Sequence, residues 1–155
     1  MATFNSTVYA QETGQPSTAV GTAAPIQTYT DGKRSGGRKI ATFVTFDTSL
    51  QNLASASVVN VCTLPPDVIV SNITVITGTA LASSTIQVGL GATANYFSTS
   101  AISTATAGKV DAFTNLANYG TVTTANTAPQ TVTATIGGAS WTTGIIYFLI
   151  EYLQN

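Results

Sequence analysis

The sequence predicts an all-β protein: a single, jelly-roll-like β-sandwich with an extended N-terminal arm. From residue 40 onward, short β-branched runs alternate with turn residues at intervals of roughly 8 to 15 residues, as in sandwiches and barrels. No stretch of about 12 residues has the apolar periodicity of a stable helix. Residues 1–39 hold only isolated apolar residues among Gln, Thr, Ser, Ala, Gly and Pro. We therefore predict an arm over residues 1–39 and a β-sandwich domain over residues 40–155.

The first three predicted strands are residues 40–46, 58–64 and 68–77. The first carries an aromatic residue on each face, which indicates that both faces are covered. The second ends at two prolines, which cannot donate to a sheet ladder. The third is the longest apolar run and should be central in its sheet. Its predicted faces are Ile69, Ile73 and Val75 on one side and Val68, Val70 and Ile76 on the other.

The remaining predicted elements lie in the C-terminal half. Residues 85–90 alternate between apolar and polar positions, as expected of a strand with one solvated face, and Gly91 ends this strand. Residues 95–120 are less regular and predict short strands with a long crossing loop. Residues 131–136 and 144–152 predict a C-terminal hairpin. Its last strand is apolar on both faces, so we expect it to be buried on both.

Charged residues are scarce in this chain. Of its 155 residues, 5 are Lys or Arg and 6 are Asp or Glu, which is 7 % where about 25 % is usual. The hydrophobic content is an ordinary 44 %, so neutral polar residues, mostly Thr, replace the charges. Because so few charges give little protection against association, the composition predicts a protein made for an assembly. A robust secreted domain with a Thr-rich exterior is the alternative interpretation.

The N-terminus tests the secreted alternative. Residues 1–14 have neither the basic region nor the apolar stretch of about 7 to 15 residues of a signal peptide. The longest apolar run, residues 145–150, is far shorter than the roughly 20 residues of a membrane-spanning helix. We expect a protein made in the cytoplasm, with no membrane partner. An extracellular type of composition without an export signal is natural for a virus particle.

The residue types exclude most catalytic chemistry, and we predict no enzyme, no cofactor and no metal site. The chain has no His and one Cys, so the usual ligands of Zn, Cu and Fe are missing. The acids are scattered and form no recognisable general acid–base or glycosidase pair. Residues 89–94 fit a loose dinucleotide-binding pattern, but the required helix does not follow, which favours a turn after a strand.

The basic residues are concentrated at the end of the arm, between Gly and Ser residues. Four of the five basic residues of the protein lie there: Lys33, Arg34, Arg38 and Lys39. We interpret them as a patch that docks on an acidic protein surface. The alternatives are a solvated linker and a nucleic-acid arm. We do not expect nucleic acid as the partner, because the protein is net acidic and has no aromatic stacking platform beside the patch.

Two motifs in the predicted body carry a resemblance to a known family. Residues 61–75 read VCTLPPDVIVSNITV, and residues 84–91 read STIQVGLG. Together with the polar arm and the closing aromatic-aliphatic strand, this order resembles a family of small virion proteins of tailed phages over residues 40–152. The resemblance implies a capsid decoration (cement) protein on the capsid surface. It implies homotrimers at local threefold positions, bound to the major capsid protein, with the patch defined above as the capsid-binding residues.

A receptor- or glycan-binding module of a head fibre or tail is the competing hypothesis. Aromatic side chains could form a platform that stacks on a sugar. Alternatively, the same residues belong to the core and to a trimer interface, which their positions in or beside predicted strands favour. The residues concerned are Tyr96, Phe97, Tyr119, Trp141 and Tyr147.

Overall fold

The structure, a computed structural model, describes residues 3–5, 38–48, 53–81, 83–118 and 128–154. Over these ranges the protein is all-β, as predicted, with one short 3₁₀ turn at Leu116–Asn118. The strands are β1 (Thr3–Asn5), β2 (Arg38–Asp47), β3 (Val58–Leu64), β4 (Val68–Thr77), β5 (Ser84–Leu90), β6 (Ile102–Ser103), β7 (Gly108–Asp111), β8 (Gln130–Gly138) and β9 (Ile145–Gln154).

The strands form two sheets that pack face to face. Sheet 1 has the order β1-β3-β8-β5-β6, and sheet 2 has the order β2-β9-β4-β7. Antiparallel pairing follows a nested scheme: β2 pairs with β9, β3 with β8, β4 with β7 and β5 with β6. This is an eight-stranded ribbon folded in half and wound into two sheets, which is the topology of a jelly roll. The predicted jelly-roll-like β-sandwich is therefore confirmed.

One continuous apolar core fills the space between the sheets. The core forms because successive residues of a strand point to opposite faces, and in these strands every second residue is apolar. Its largest side chains include Trp141, Phe46, Phe97 and Phe148, all almost completely buried. Burial of each such side chain contributes roughly 1.5 to 3 kcal/mol relative to exposure. The core therefore holds the two sheets together without a disulfide, since the buried Cys62 is the one cysteine of the sequence.

The faces predicted for the longest strand are wrong beyond its first half. β4 is an inner strand of sheet 2, between β9 and β7, as expected. A bulge between Val70 and Asn72 shifts its register against β9. The extra residue reverses the alternation, so Val68 and Val70 point into the core together with Ile73. Ile69 and Ile76 therefore lie on the outer face instead.

The predicted C-terminal hairpin is also wrong. The two strands exist, as β8 and β9, but β8 lies in sheet 1 between β3 and β5, and β9 lies in sheet 2 between β2 and β4. The connection crosses from one sheet to the other, and Gly144 adopts a φ of 108° in it. In a jelly roll the last strand returns to the first, so sequence neighbours at the C-terminus need not pair.

The N-terminal region contributes to both sheets. β1 pairs in parallel with the edge of β3, with Thr3 opposite Val58. β2 begins at Arg38, two residues before the predicted start of the sandwich. Residues 6–37, most of the predicted arm, lie outside the described residues. The division into an arm over residues 1–39 and a domain over residues 40–155 stays a prediction.

The Gly-rich segment after β5 is a tight turn, as expected from the missing helix. Leu90 and Thr93 exchange two backbone hydrogen bonds of 3.0 Å, and Gly91 has a φ of 56°. A Cβ atom on Gly89 would collide with the carbonyl oxygen of Thr93 and the backbone of Ala94. Both glycines are therefore explained by the path of the backbone.

Candidate functional site

The predicted basic patch is divided by the structure. Lys33 and Arg34 lie outside the described residues, whereas Arg38 and Lys39 are the first two residues of β2. The Lys39 Nζ atom lies 2.8 Å from Glu151 Oε1 on β9. The Lys39 side chain is 59 % exposed and that of Glu151 is 21 % exposed. Lys39 therefore already has a carboxylate partner within the sandwich.

This ion pair begins a polar chain that crosses all four strands of sheet 2. The Asn72 Nδ2 atom on β4 donates to Glu151 Oε2 at 3.2 Å and also approaches Thr74 Oγ1 at 3.3 Å. The Thr74 hydroxyl then donates to Asp111 Oδ1 on β7 at 3.5 Å. The bulge in β4 positions Asn72 directly opposite Glu151. The chain of contacts is thus built from side chains of β2, β9, β4 and β7 on one face.

The electrostatics of this chain favour an ionised Glu151. The Lys39 ammonium, and next the Asn72 amide, donate hydrogen bonds that hold the pKa of Glu151 below its ordinary value of 4.5. Partial burial opposes this effect but does not overcome it. At neutral pH the pair is charge-compensated within one chain, and it leaves little net charge for a partner.

Apolar side chains surround the polar chain on the same outer face of sheet 2. The rings of Phe43 on β2 and Tyr147 on β9 stack with their centroids 5.4 Å apart. Phe43 is 39 % exposed and Ile145 is 36 % exposed, while Leu149 and Ile76 are half-buried. We call this surface the outer face of sheet 2. Its members are Phe43, Ile69, Ile76, Ile145, Tyr147, Leu149 and Leu153, with the polar chain from Lys39 to Asp111 between them.

The outer face of sheet 1 has the opposite character. Its outward positions are occupied almost entirely by Thr, Asn, Gln and Gly, with Val58 as the apolar exception. The register places Thr135 between Val58 and Gln87, and Thr133 between Asn60 and Gly89. The sandwich therefore presents one outer face that is polar and almost without charge, and one on which apolar side chains flank a chain of charged and polar groups.

This contrast corrects the prediction that the first and last strands of the body are covered on both faces. In the single chain, β2 and β9 are covered by the core on one face only, and their outer side chains range from half-buried to exposed. The sequence signal was correct in that both faces are apolar. Within the described residues, the core covers only one of these two faces.

The proposed aromatic platform does not form as a unit. Phe97 and Trp141 are buried in the core and cannot reach a sugar. Tyr96 packs edge-on against Phe97, at 5.0 Å between ring centroids, in the loop after β5. Tyr147 belongs to the outer face of sheet 2, and Tyr119 lies outside the described residues. The core interpretation is thus correct for Phe97 and Trp141.

Across the described residues, no three His, Cys, Asp or Glu side chains are grouped as metal ligands would be. The same part of the chain contains no helix with the length and apolarity needed to span a membrane.

Sequence reasoning missed Asn72, Thr74, Asp111 and Ile76 as members of one surface. The alternation of residues 68–77 predicts Ile76 on the same face as Val68 and Val70, but the bulge places Ile76 on the opposite face of β4. Asn72 and Thr74 lie within an Asn-X-Thr triplet that reads as a glycosylation motif, and pairing with β9 and β7 gives them their partners. Only the register of three strands brings these residues together.

Comparisons with known proteins identify the fold. No protein-family model and no curated protein sequence matches this chain. A chain in the capsid of Ralstonia phage GP4 is similar with a TM-score of 0.59 and 16 % identity, over 99 % of each chain. A chain in the capsid asymmetric unit of cyanophage Pam1 is similar with a TM-score of 0.58 and 18 % identity, over 86 % of this chain and 99 % of that one. At these identities the likeness establishes a shared fold.

Proposed function

We propose that this protein is a structural virion protein that decorates and stabilises a phage head. The observation that carries the proposal is the fold likeness to chains of two phage capsids, which extends over 99 % of each of those chains. The match includes the whole jelly-roll body rather than a fragment of it. The scarcity of charged residues agrees with a role that needs surfaces and no reaction.

In this proposal the protein acts as a trimer at local threefold positions on the capsid surface, after synthesis in the host cytoplasm. The rigid β-body covers the junction between neighbouring subunits of the major capsid protein. Within the arm, residues 1–39, the segment between β1 and β2 would contact the capsid. Because β1 pairs with β3 and β2 begins at Arg38, this segment is held at both ends and could extend from the body by roughly 50 Å. Strand addition to a sheet edge of the capsid protein would let its backbone bind without special side chains.

The basic patch supplies the electrostatic part of the proposed attachment. Lys33, Arg34 and Arg38 precede or begin the first strand of the body and would pair with acidic groups of the major capsid protein. The Lys39 ammonium group binds Glu151. Within the patch we therefore assign to Lys39 mainly a link between the arm and the sandwich, and capsid binding mainly to Lys33, Arg34 and Arg38.

The decisive experiment is the decoration of purified heads that lack this protein. The expected result is saturable binding of many copies spread over the head, with a higher temperature of head disruption afterwards. A few copies at a tail or fibre position would overturn the decoration role in favour of the receptor- or glycan-binding hypothesis. Empty and DNA-filled heads are compared in the same assay. Binding restricted to filled heads would indicate nucleic acid as the partner.

A further inference from the structure

We infer that the outer edge of β2 is a site at which a second copy of this chain adds its own β2, antiparallel, to form one continuous sheet. β2 is an outermost strand of sheet 2, and among the described residues no strand pairs with its other side. A strand at a sheet edge presents backbone N–H and C=O groups that can bind another strand. The inference goes beyond the proposed function, because it concerns a twofold contact between copies and not the proposed trimer.

β2 lacks the features that protect the other sheet edges. The edge of β3 is occupied by β1, while β6 has two residues and β7 has four. β7 also carries Lys109 and Asp111. β2 instead has ten residues, contains no proline and pairs with β9 in an uninterrupted register. Since short strands, bulges, prolines and charges within the strand protect sheet edges, β2 is the edge most open to strand addition among those described.

The charges of β2 indicate that the strand that fits this edge is a second β2. They lie at the two ends of the strand, with Arg38 and Lys39 at its start and Asp47 at its end. An antiparallel copy brings the basic start of one strand beside the acidic end of the other, whereas a parallel copy would bring like charges together. The strand is therefore complementary to itself across a twofold axis, as an isologous contact requires.

One register satisfies both the charges and the faces of the strand. Opposite residues must belong to the same face, so that the cores of the two copies lie on the same side of the joined sheet. In the register centred on Phe43, Lys39 of each copy lies opposite Asp47 of the other. Registers shifted by two residues keep the faces but separate these charges. The other pairs in the centred register are Phe43 with Phe43 and Ala41 with Thr45 on the outer face, and Ile40 with Phe46 and Thr42 with Val44 on the core face.

Lys39 can make this contact and keep its contact with Glu151. Its side chain is mostly exposed, and an ammonium group has three donors, of which one is directed at Glu151. Asp47 lies on the same outer face and is half-buried. Nine paired residues would add roughly eight to ten backbone hydrogen bonds across the axis. Because a twofold contact and a threefold ring use different contacts, the pairing of β2 would join one trimer to the next on the head.

Cysteine cross-linking of the full-length protein tests the register. Opposite Cα atoms of an antiparallel pair lie about 4.5 to 5.5 Å apart, within reach of a disulfide. Phe43→Cys places two thiols opposite each other at the twofold axis. The double variant Ala41→Cys/Thr45→Cys does so at two positions and keeps both Phe43 rings. Each of its single variants is a matched control, since the two thiols would then lie about 13 Å apart along the strands.

Each variant is oxidised mildly, both free at micromolar concentration and bound to undecorated heads, and analysed by gel electrophoresis without reductant. Thermal melting confirms folding, and the native Cys62 is buried. We expect Phe43→Cys and the double variant to form disulfide-linked dimers, and each control to form about 10-fold less. A mixture of the two controls should again form dimers, each with one chain of either kind.

Equal cross-linking of the controls and the test variants would overturn the inference, and so would a lack of cross-linking both in solution and on heads. Protection of the Phe43→Cys thiol from alkylation on heads without dimer formation would also overturn it, since a segment of the capsid protein would then occupy the edge. Register-specific dimers of a protein that does not bind heads would refute the proposed function and leave the inference intact.

Discussion

Lys39 belongs to the basic patch in sequence, but its position in β2 gives it a carboxylate partner within the sandwich. Its ammonium group contacts Glu151 at 2.8 Å, whereas Lys33 and Arg34 of the same patch lie outside the described residues. An exposed ion pair of this kind contributes about 0.2 to 1 kcal/mol. Lys39 should therefore affect the stability of the body more than it affects attachment.

The Lys39→Gln variant tests this assignment through pH. At pH 7 it should lower the free energy of unfolding by about 0.2 to 1 kcal/mol. Because the folded state lowers the pKa of Glu151 below 4.5, the stabilisation is present above that pH and is lost as the pH falls through the folded pKa. Urea denaturation at pH 7 and at pH 3 should give a difference between wild type and variant that is smaller at the lower pH.

Lys109→Gln is the control for this experiment. Lys109 lowers the pKa of Glu151 only through its charge, and this is the smallest of the contributions. Its replacement should change stability less than that of Lys39 at pH 7. A deficit of Lys39→Gln that is as large at pH 3 as at pH 7 would show that packing of the lysine stem, and not the ion pair, is responsible.

The remaining members of the patch should affect attachment and not stability. Replacing Lys33, Arg34 and Arg38 together by Gln should weaken binding to undecorated heads by one or two powers of ten, through the loss of partly desolvated ion pairs. The melting temperature of the isolated protein should stay nearly unchanged. Wild-type attachment should also weaken with salt, because the Debye length falls from about 10 Å at 0.1 M to about 3 Å at 1 M. Undiminished binding of the triple variant would support the alternative interpretation that this segment is a solvated linker.

At the scale of elements, the turn after β5 depends on a close approach of two backbones. A Cβ atom on Gly89 would collide with the Thr93 carbonyl oxygen, which bonds the Leu90 amide. We expect Gly89→Ala to destabilise the fold by about 1 to 3 kcal/mol, since backbone cannot move aside as a flexible side chain can. Urea denaturation measures the change.

Gly78→Ala is the matched control, because a Cβ atom there meets its nearest neighbour at an ordinary 3.4 Å. It should change the free energy of unfolding by less than Gly89→Ala does. Equal effects of the two substitutions would mean that loss of chain flexibility, and not the tight turn, determines the outcome.

The N-terminal arm can be tested by truncation. Because β2 begins at Arg38, a deletion of residues 1–37 removes β1 and the rest of the arm but leaves sheet 2 complete. The truncated protein should stay folded, with β3 as the new edge of sheet 1, and should attach to heads more weakly. Circular dichroism and the decoration assay measure the two effects.

A shorter deletion, of residues 1–5, separates the contribution of β1 to attachment from that of residues 6–37. This deletion should retain most of the attachment if the basic end of the arm binds the capsid. Failure of the 1–37 deletion to fold, or attachment equal to wild type, would contradict the arm prediction.

At the scale of the whole molecule, the sequence predicts strands better than their partners. Residues 58–64 and 68–77 match β3 and β4 at both ends, because turn residues and β-branched runs are local signals. The bulge at Val70 and Asn72 and the separation of β8 from β9 have no comparable local signal. Both arise from pairing between residues that are far apart in sequence.

The candidate surface could be predicted only in part for the same reason. Apolar residues on both faces of β2 and β9 indicated that something covers the outer side. The identity of that surface depends on β4 and β7, which the register adds to it. A single strand shows that its outer face is apolar, but only the assembled sheet shows which residues share that face.

The nested pairing of the strands also determines when this protein can fold during its synthesis. β9 follows the other eight described strands in the sequence, yet it hydrogen-bonds to both β2 and β4 in the middle of sheet 2. Until the ribosome has released residues 145–154, β2 and β4 lack the strand that joins them and the core lacks Phe148 and Ile150. At about 5 to 20 residues per second, the first strands wait several seconds with their apolar faces uncovered. We therefore expect the body to close only after β9 has emerged, and a nascent chain that stalls before β9 to be a substrate for chaperones or proteases.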